Sequence, residues 1–359
     1  MIRAIQWATG ALGRTSLRRL IDAPDITLAG VFVYGAAKAG LDAGTIARRP
    51  ETGVRATNDI AEILATPADI VIHTPRITLP YEALADDVVR LLESGKNVIS
   101  TAGFHWPAAQ GLAYAGRLEA AARKGGVTLA GLGVSPGMVV ERLALGATAM
   151  CAELESITMR ETVDASAMAQ PAFVFDLMGL GSDPAVSDIR KGPLAELYTR
   201  LFSEVLHFSA HAMGTVVREI VPAHALTLAP ADMVIAAGPI AKGHVAATEW
   251  RWTAHMANGT ELTMSILWTA DRTLHGDTAP GHWTIAIKGR PNVTMTLDIS
   301  ESDPAAPPSR ALSDATVAVA LAAIPDVIAA PPGLFAYQPA SPWRARFGTS
   351  AEVQRESIA

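Results

Sequence analysis

Apolar and polar positions follow two different periods along roughly the first 150 residues of the chain. Short runs that are apolar throughout, such as Ile70-Val71-Ile72, predict strands that are covered on both faces. Between these runs, apolar residues recur three and four positions apart, as at Leu84, Val88 and Leu91, which predicts helices. Strand and helix therefore alternate, and this alternation predicts an α/β domain with a doubly wound parallel sheet.

The pattern changes after about residue 150. Leu154–Val163 alternates apolar and polar residues, as an antiparallel strand does, and Pro193–Ala212 has the spacing of a long helix. Asn258-Gly259 lies between two β-rich segments and predicts a hairpin. We therefore predict a second α+β domain with a mostly antiparallel sheet.

Four segments of the chain can be assigned from this change of pattern. Residues 1–150 are expected to form the first domain, and residues 151–301 the second, which would carry substrate and dimer contacts. A C-terminal helix at 313–335 is expected to complete the first domain. The polar residues 338–359 are expected to form a surface tail.

The first strand of the chain runs into a glycine-rich turn and then a helix. Gly10 would let a pyrophosphate come close to the backbone, Gly13 would let the helix pack on the sheet, and the free N–H groups of the helix would face the phosphates. Ala8 stands where the first glycine of the G-x-G-x-x-G fingerprint would be, and such turns also occur without a ligand. With its strand–helix context, the turn predicts a dinucleotide-binding Rossmann domain. The candidate cofactor-binding residues of the turn are Thr9, Gly10, Ala11, Leu12, Gly13 and Arg14.

The end of the second predicted strand bears on the choice of cofactor. An acid there would bind the ribose hydroxyls of NAD, but no acid precedes Asp42, and Lys38 is the one charge in that segment. Arg14 could join Lys38 in binding a 2′-phosphate. The sequence therefore favours NADP, with NAD possible, and the alternative is that Lys38 is a solvated loop lysine.

Further cofactor contacts are expected where later strands end, because open α/β sheets bind ligands beyond the carboxyl ends of their strands. For the turn that follows the sixth strand, the alternative is a plain crossing between domains. The candidates are Thr74, Pro75, Thr101, Ala102, Pro136 and Gly137.

Composition excludes several classes of protein. The 359 residues are 50% hydrophobic and carry a net charge of −6, which argues for a small-molecule substrate and against nucleic acid. The most apolar stretches are interrupted by charges or prolines, so no membrane span is expected. A single cysteine, Cys151, suggests a reducing compartment, and the chain opens on a strand with no room for a signal peptide. A cytoplasmic location is therefore expected.

Several segments together resemble one known family. They are Ala8–Gly13, Lys38–Gly44, Gly133–Gly137 and the late segment 323–333, and the resemblance runs from Met1 to about Leu334. The chain resembles the amine dehydrogenases and 2,4-diaminopentanoate dehydrogenase, relatives of dihydrodipicolinate reductase. The resemblance implies a Rossmann domain that carries NAD(P), a second domain that covers the substrate, and usually a homodimer. It also implies reversible hydride transfer between nicotinamide and a ketone-derived imine.

One residue of the family pattern is missing. Amine dehydrogenases carry a glutamate just after the fifth strand, and the matching segment of this chain, Ser100–Pro107, has no carboxylate. His105 is the nearest titratable residue and is a candidate proton donor, although it could instead cap a turn or pack against Trp106. Glu161 is a second candidate, and its alternative is a strand-edge charge that faces water.

Apolar side chains from both domains are candidates for a substrate pocket, and they favour an uncharged, apolar substrate. Ordinary core packing is the alternative for each of them. His207 and His211 share a helix face, but no further ligand completes a set, so no metal is expected. The candidate pocket residues are Phe104, Trp106, Met168, Phe173 and Met178.

These observations leave three functions open. The first is an NAD(P)H-dependent, amine dehydrogenase-like oxidoreductase. The second is an ammonia-independent carbonyl or imine reductase, with His105 or water as its proton donor. The third is a non-catalytic NAD(P)-binding sensor.

Overall fold

The computed structural model describes residues 1–276, 282–307 and 309–345. The chain divides into two units: unit 1 comprises Met1–Met138 and Leu312–Tyr337, and unit 2 comprises Val139–Ala311 and residues 338–345. The sequence prediction set the domain boundary at 150, whereas the chain leaves unit 1 earlier, inside a helical segment. Residues 346–359 of the predicted tail lie outside the described residues.

Both units contain strands and helices. In chain order, the strands are β1 Ile2–Trp7, β2 Ile26–Phe32, β3 Ala56–Thr57, β4 Ile70–His73, β5 Asn97–Ser100, β6 Thr128–Gly131, β7 Glu153–Asp164, β8 Val217–Pro222, β9 Ala225–Leu228, β10 Met233–Ile235, β11 Gly238–Ile240, β12 Val245–Met256, β13 Glu261–Thr269, β14 Trp283–Arg290, β15 Val293–Leu297 and β16 Gly333–Phe335. The α-helices are α1 Ala11–Asp22, α2 Ala43–Ala47, α3 Ile60–Ala65, α4 Ala85–Glu93, α5 Leu112–Gly125, α6 Leu145–Ala147, α7 Pro193–Ala212, α8 Ser309–Ala322 and α9 Ile324–Ala329. π-Helical segments span Val134–Ala144 and Ala172–Leu177, and short 3₁₀ helices lie at Ala36–Lys38, Tyr81–Leu84, Pro107–Gln110, Thr148–Met150 and Arg272–Leu274.

The sheet of unit 1 has seven strands in the order β16-β6-β5-β4-β1-β2-β3, and all neighbours are parallel. Its central strands are buried on both faces, as their continuous apolar runs predict. The strand order reverses between β1 and β4, and the carboxyl ends at such a switch point are where open α/β sheets bind ligands. The predicted doubly wound sheet is confirmed.

The last part of unit 1 differs from the single helix predicted over 313–335. The structure has two helices and then strand β16, because Pro331-Pro332 cannot continue a helix and Gly333–Phe335 pairs with β6. Among the described residues, the stretch Arg310–Ala329 is long and apolar enough to cross a membrane by length and composition alone. Its inner side chains, including Ile324 and Val327, pack into the core of unit 1.

Unit 2 is built on a sheet in the order β15-β14-β7-β13-β12-β8, with β9 also paired to β12. All pairs are antiparallel except β7 with β13, so the predicted mostly antiparallel sheet is confirmed, with one parallel pair that local alternation does not reveal. The predicted Asn258-Gly259 hairpin joins β12 to β13, and Gly259 has a φ of +84°.

Helix α7 covers one face of the sheet in unit 2. It begins after Gly192 with Pro193 in its first turn, and Tyr198 and Phe202 pack their rings against Trp250 and Trp252 at 5.2 and 4.9 Å. The tryptophans alternate with polar residues along β12, so the opposite face of the sheet is polar.

A histidine is part of the core of unit 1. His73 ends β4, is fully buried, and its Nδ1 lies 2.9 Å from the Oγ of Ser100 in β5. The rings of Trp7 and Phe104 lie 6.0 and 6.3 Å from the imidazole. Burial lowers the pKa of His73 from 6.5 to about 3, so the imidazole is neutral at neutral pH.

The depressed pKa of His73 predicts a loss of stability in acid. The unfolded chain binds more protons than the folded chain between pH 6.5 and 3, so the stabilisation is complete above pH 6.5 and falls as the pH is lowered. At roughly 1.4 kcal/mol per pH unit, about 3 kcal/mol is lost by pH 4. His73→Phe, which keeps a planar ring, is expected to flatten this acid limb when urea unfolding is measured from pH 4 to 7.

Surface His255, in an ion pair with Glu261, provides the control, and His255→Phe is expected to leave the acid limb in place. Equal slopes for wild type and His73→Phe would show that His73 is not the group that makes folding acid-sensitive.

Candidate active site

The predicted glycine turn lies at the switch point of the unit 1 sheet. Strand β1 ends at Trp7, Ala8 has a φ of +68°, and Gly10 caps helix α1 without any side-chain hydrogen bond. Ala8 therefore adopts the left-handed conformation that glycine favours, at a cost of roughly 1–2 kcal/mol for an L-residue. The turn keeps the backbone shape of the fingerprint although the first glycine is absent.

Gly13 is required at its position by close packing. A Cβ on Gly13 would lie 2.3 Å from the carbonyl oxygen of Ala8 and 2.7 Å from Oγ1 of Thr74. A Cβ on Gly10, by contrast, would have no protein atom within 4 Å. The turn is therefore closed on its Gly13 side and open on its Gly10 side, at the N-terminus of α1, where N–H groups and the helix dipole favour an anion.

The buried side-chain amide of Gln6 holds the turn in place through hydrogen bonds. Nε2 of Gln6 donates to the carbonyl oxygen of Ala8 and to Oγ1 of Thr74, both at 2.9 Å, and Oγ1 of Thr74 donates to the carbonyl oxygen of Trp7 at 3.1 Å. Thr74, a candidate cofactor contact, thus uses its hydroxyl to hold the turn, and Pro75 follows it half-buried. The sequence analysis did not single out Gln6, although a polar residue within an apolar strand indicates a buried hydrogen-bonding role.

Lys38 reaches the same turn. Its Nζ donates to the carbonyl oxygen of Thr9 at 2.8 Å and to Oγ1 of Thr9 at 3.2 Å. Burial lowers the pKa of Lys38, and the positive charge of Arg14 lowers it further. The carboxylate of Asp42 accepts from the backbone of Gly44 and from Thr52, so it is occupied in its own turn. The structure therefore places Lys38 at the turn, and the binding of a 2′-phosphate by Lys38 and Arg14 stays a prediction.

The segment after β5 is held against the sheet. The backbone N–H of Thr101 donates to His73 O at 3.0 Å, and that of Ala102 donates to Oγ of Ser100 at 3.1 Å. Gly131 in β6 gives the segment room, because a Cβ there would lie 2.2–2.4 Å from backbone atoms of residues 103–105. His105 is 7% exposed within this segment.

The neighbours of His105 and the turn after β6 share the same sheet edge. Phe104 is buried, with a φ of +66°, and Trp106 is half-buried. Pro136 and Gly137, after β6, are buried in the helical segment 134–144, which is extended at Ser135. The candidates at the ends of β4, β5 and β6 thus lie at one edge of one sheet.

Glu161 is a buried carboxylate of unit 2. Its Oε2 accepts a hydrogen bond from Nε1 of Trp283 at 2.7 Å, and the residue is 9% exposed, so it is not the water-facing charge of the alternative interpretation. Glu161 is in register with Ile266, which pairs with Trp250, and therefore lies on the sheet face that α7 covers.

Two cavities are lined by residues of unit 2. One, of about 400 Å³, includes Glu161 in its lining, although most of its lining residues, such as Arg160 and Ser265, lie on the opposite sheet face. The other, of about 380 Å³, is lined by residues that include Arg200 and His224.

The predicted pocket residues of unit 2 lie elsewhere. Met168 and Met178 are buried in a hydrophobic cluster with Val174, and Phe173 is 44% exposed. None of these three residues lines either cavity. Both methionines are packed in the core of unit 2, which was the alternative interpretation of their pattern. In the described part of the chain, no three His, Cys, Asp or Glu side chains are grouped to hold a metal.

The fold and the glycine turn place this chain in the class of two-domain proteins with a Rossmann unit of the dinucleotide-binding type. No family model matches the chain. An amine dehydrogenase of Streptomyces virginiae is 31% identical over 226 residues, which is 61% of this chain and 61% of that protein. A 4-hydroxy-tetrahydrodipicolinate reductase of Cupriavidus metallidurans is 37% identical over 115 residues, 32% of this chain and 42% of that protein. The chain thus matches about three fifths and two fifths of the length of these relatives.

A solved structure extends the similarity to nearly the whole chain. The amine dehydrogenase of Mycobacterium smegmatis superposes with a TM-score of 0.74, at 20% identity, over 93% of this chain and 94% of that chain. This match shows the fold. The chain is similar in sequence to amine dehydrogenases and to dihydrodipicolinate reductases, so the resemblance predicted from its motifs is confirmed.

Replacing the two glycines of the turn by alanine is predicted to cost unequal amounts of stability. Gly13→Ala places a methyl group against the carbonyl of Ala8 and is expected to lower the free energy of unfolding by about 2 kcal/mol or more. Gly10→Ala meets no protein atom and is expected to cost no more than about 1 kcal/mol, the effect of replacing a glycine N-cap. Chemical denaturation of the two variants measures both values, and equal losses would show that the close approach at Gly13 does not hold the turn.

Proposed function

We propose that this chain is an NAD(P)H-dependent oxidoreductase that transfers hydride to a carbonyl or imine carbon of a small, largely apolar substrate. The observation that carries the proposal is the glycine turn, which is closed against Thr74 and open at the N-terminus of α1. The homology to amine dehydrogenases supports the same reaction class.

The residues of unit 1 fit a dinucleotide. The backbone of residues 9–12 begins α1 beside the open side of Gly10 and would hold the pyrophosphate. Thr101, Ala102, Pro136 and Gly137 lie at the carboxyl edge of the sheet and would hold the nicotinamide half. The nicotinamide, when bound, supplies the hydride.

We propose His105 as the group that delivers the proton. A proton donor must lie within hydrogen-bond reach of the heteroatom that is reduced, and imidazole titrates near neutral pH. The hydrogen bonds of Thr101 and Ala102 and the close approach at Gly131 fix the backbone that carries His105. Phe104 and Trp106 flank it and would exclude water and favour an apolar substrate. Glu161 is the second candidate, since it is a buried carboxylate.

Two alternatives follow from the missing glutamate in Ser100–Pro107. Without that carboxylate, the chain would act as a carbonyl or imine reductase that does not need ammonia. If neither a side chain nor water delivers a proton, the chain would be a non-catalytic NAD(P)-binding sensor.

We propose NADP as the preferred cofactor. Lys38 and Arg14 bring two positive charges to the turn, and Asp42, the nearest acid along the chain, is occupied by backbone hydrogen bonds. A 2′-phosphate would gain charge-assisted hydrogen bonds there, whereas the ribose hydroxyls of NAD would find no carboxylate.

We further propose a homodimer that acts on a small molecule in the cytoplasm. The resemblance to amine dehydrogenases supports the dimer. The net charge of −6 supports a partner other than nucleic acid.

Turnover with and without ammonia tests the reaction. We expect NADPH oxidation in the presence of hydrophobic ketones, and we expect His105→Ala to lower kcat by about 100-fold, the scale of general acid catalysis. His255→Ala, a surface variant, is expected to keep full activity. Turnover independent of ammonia would exclude amine formation as the main activity, and tight NADPH binding with no turnover on any ketone would favour the sensor. Unchanged activity of His105→Ala would exclude His105 as donor, and Glu161→Gln is then the variant to assay.

Cofactor titrations test the role of Lys38. Lys38→Ala is expected to weaken NADPH binding by about tenfold or more, since charge-assisted bonds contribute roughly 1.5–3 kcal/mol, and to leave NADH binding nearly unchanged. Lys124→Ala, which removes an exposed lysine paired with Glu93, is the matched control and is expected to bind both cofactors like wild type. An equal loss for NADH and NADPH would mean that Lys38 shapes the turn through Thr9 rather than binding the 2′-phosphate.

A further inference from the structure

Tyr34 follows β2 and holds an unusual position at the carboxyl edge of the unit 1 sheet. Its hydroxyl accepts a hydrogen bond from Nε1 of Trp7 at 2.9 Å, and Trp7 is fully buried. The Tyr34 ring meets Phe32 edge-on, with centroids 5.2 Å apart, and Trp7 stacks on Phe32 at 3.8 Å. Tyr34 is nevertheless 55% exposed.

This arrangement reverses the usual disposition of a tyrosine. A tyrosine at a surface commonly buries its ring and presents its hydroxyl to water. In this chain the hydroxyl is bound to the indole of the buried Trp7, although more than half of the residue is exposed. The hydrogen bond and the edge contact with Phe32 fix the ring before any ligand arrives, which lowers the entropic cost of binding on its face.

We propose that the ring of Tyr34 is the platform on which the adenine base of the dinucleotide stacks. The proposal rests on the proposed function, because it needs a dinucleotide at this sheet edge. Every base has a π-face that can stack on an aromatic ring, and such stacking contributes roughly 1–3 kcal/mol per base, which is about 5- to 150-fold in affinity.

The position of Tyr34 selects the adenosine half of the cofactor. In dinucleotide folds, the adenosine ribose is read at the end of the second strand, and Tyr34 lies two residues beyond the end of β2. The next element is the single turn Ala36–Lys38, whose lysine is bound to Thr9 of the glycine turn. In this proposal the ring of Tyr34 binds the adenine base, and the ammonium group of Lys38 binds the 2′-phosphate of the ribose.

A matched pair of variants separates the ring from its other contacts. Tyr34→Phe and Tyr34→Leu both remove the hydroxyl and leave the indole N–H of Trp7 without that acceptor, and Tyr34→Leu also loses the edge contact with Phe32, so both are titrated at a temperature where urea unfolding shows them fully folded. Only Tyr34→Phe keeps an aromatic face. Any difference in ligand affinity between the two variants therefore reports stacking.

Calorimetric titration of the full chain with 2′,5′-ADP and with 5′-AMP measures that difference. Both probes contain adenine, so the comparison does not depend on the choice between NADP and NAD. We expect Tyr34→Phe to bind within about threefold of wild type and Tyr34→Leu to bind about 5- to 150-fold more weakly than Tyr34→Phe. Leu112→Ala, which truncates a 72% exposed side chain of the same unit, is expected to bind like wild type.

The outcomes separate this proposal from the proposed function. Equal affinity of the Phe and Leu variants for adenine nucleotides that wild type binds would overturn the platform and leave the dinucleotide site intact. Failure of wild type to bind NADPH, NADH and both probes would overturn the proposed function, and the platform with it.

Discussion

The close approach between Gly13 and the backbone of Ala8 is the contact on which the candidate site depends. No side chain fits between α1 and the end of β1 at this point, because the Ala8 carbonyl and the Thr74 hydroxyl already occupy the space. The same carbonyl accepts the amide hydrogen of Gln6, so the turn is fixed from the helix side and from the sheet side. Helix α1 therefore starts where β1 ends, at the carboxyl edge of the sheet, and the N-terminal end of its dipole favours an anion there.

A second close approach, at Gly131, organises the other half of the same edge. Backbone atoms of residues 103–105 lie where a side chain of β6 would be, and the hydrogen bond between Ala102 and Ser100 holds the start of that segment. Ser100 in turn contacts the buried His73. The segment that carries His105 is thus positioned by packing and by a neutral buried imidazole, without any charged group of its own.

The local features of the fold could be predicted from the sequence, and the long-range strand pairings could not. The parallel sheet and the Asn258-Gly259 hairpin follow from periodicity and turn chemistry, which depend on neighbouring residues. The parallel pairing of β7 with β13 and the addition of β16 to β6 join segments about 100 and 200 residues apart, and no local pattern encodes such partners. The turn residues around Gly10 were predictable because backbone geometry restricts them. Met168 and Met178 were not, because a buried methionine has the same pattern in a core and in a pocket.

Strand β16 is synthesised about 200 residues after its partner β6, and this delay affects how unit 1 folds during translation. Most of unit 1 precedes unit 2 in the chain, but its sheet is completed by Gly333–Phe335, and Oγ1 of Thr128 in β6 donates to the carbonyl oxygen of Pro331. Until those residues emerge, the edge of β6 has exposed N–H and C=O groups, and the apolar surface that Ile324 and Val327 cover is open to water. The ribosome must therefore add residues 139–311 of unit 2 while the first sheet still lacks β16, and during that interval the exposed β6 edge is open to pairing with another strand.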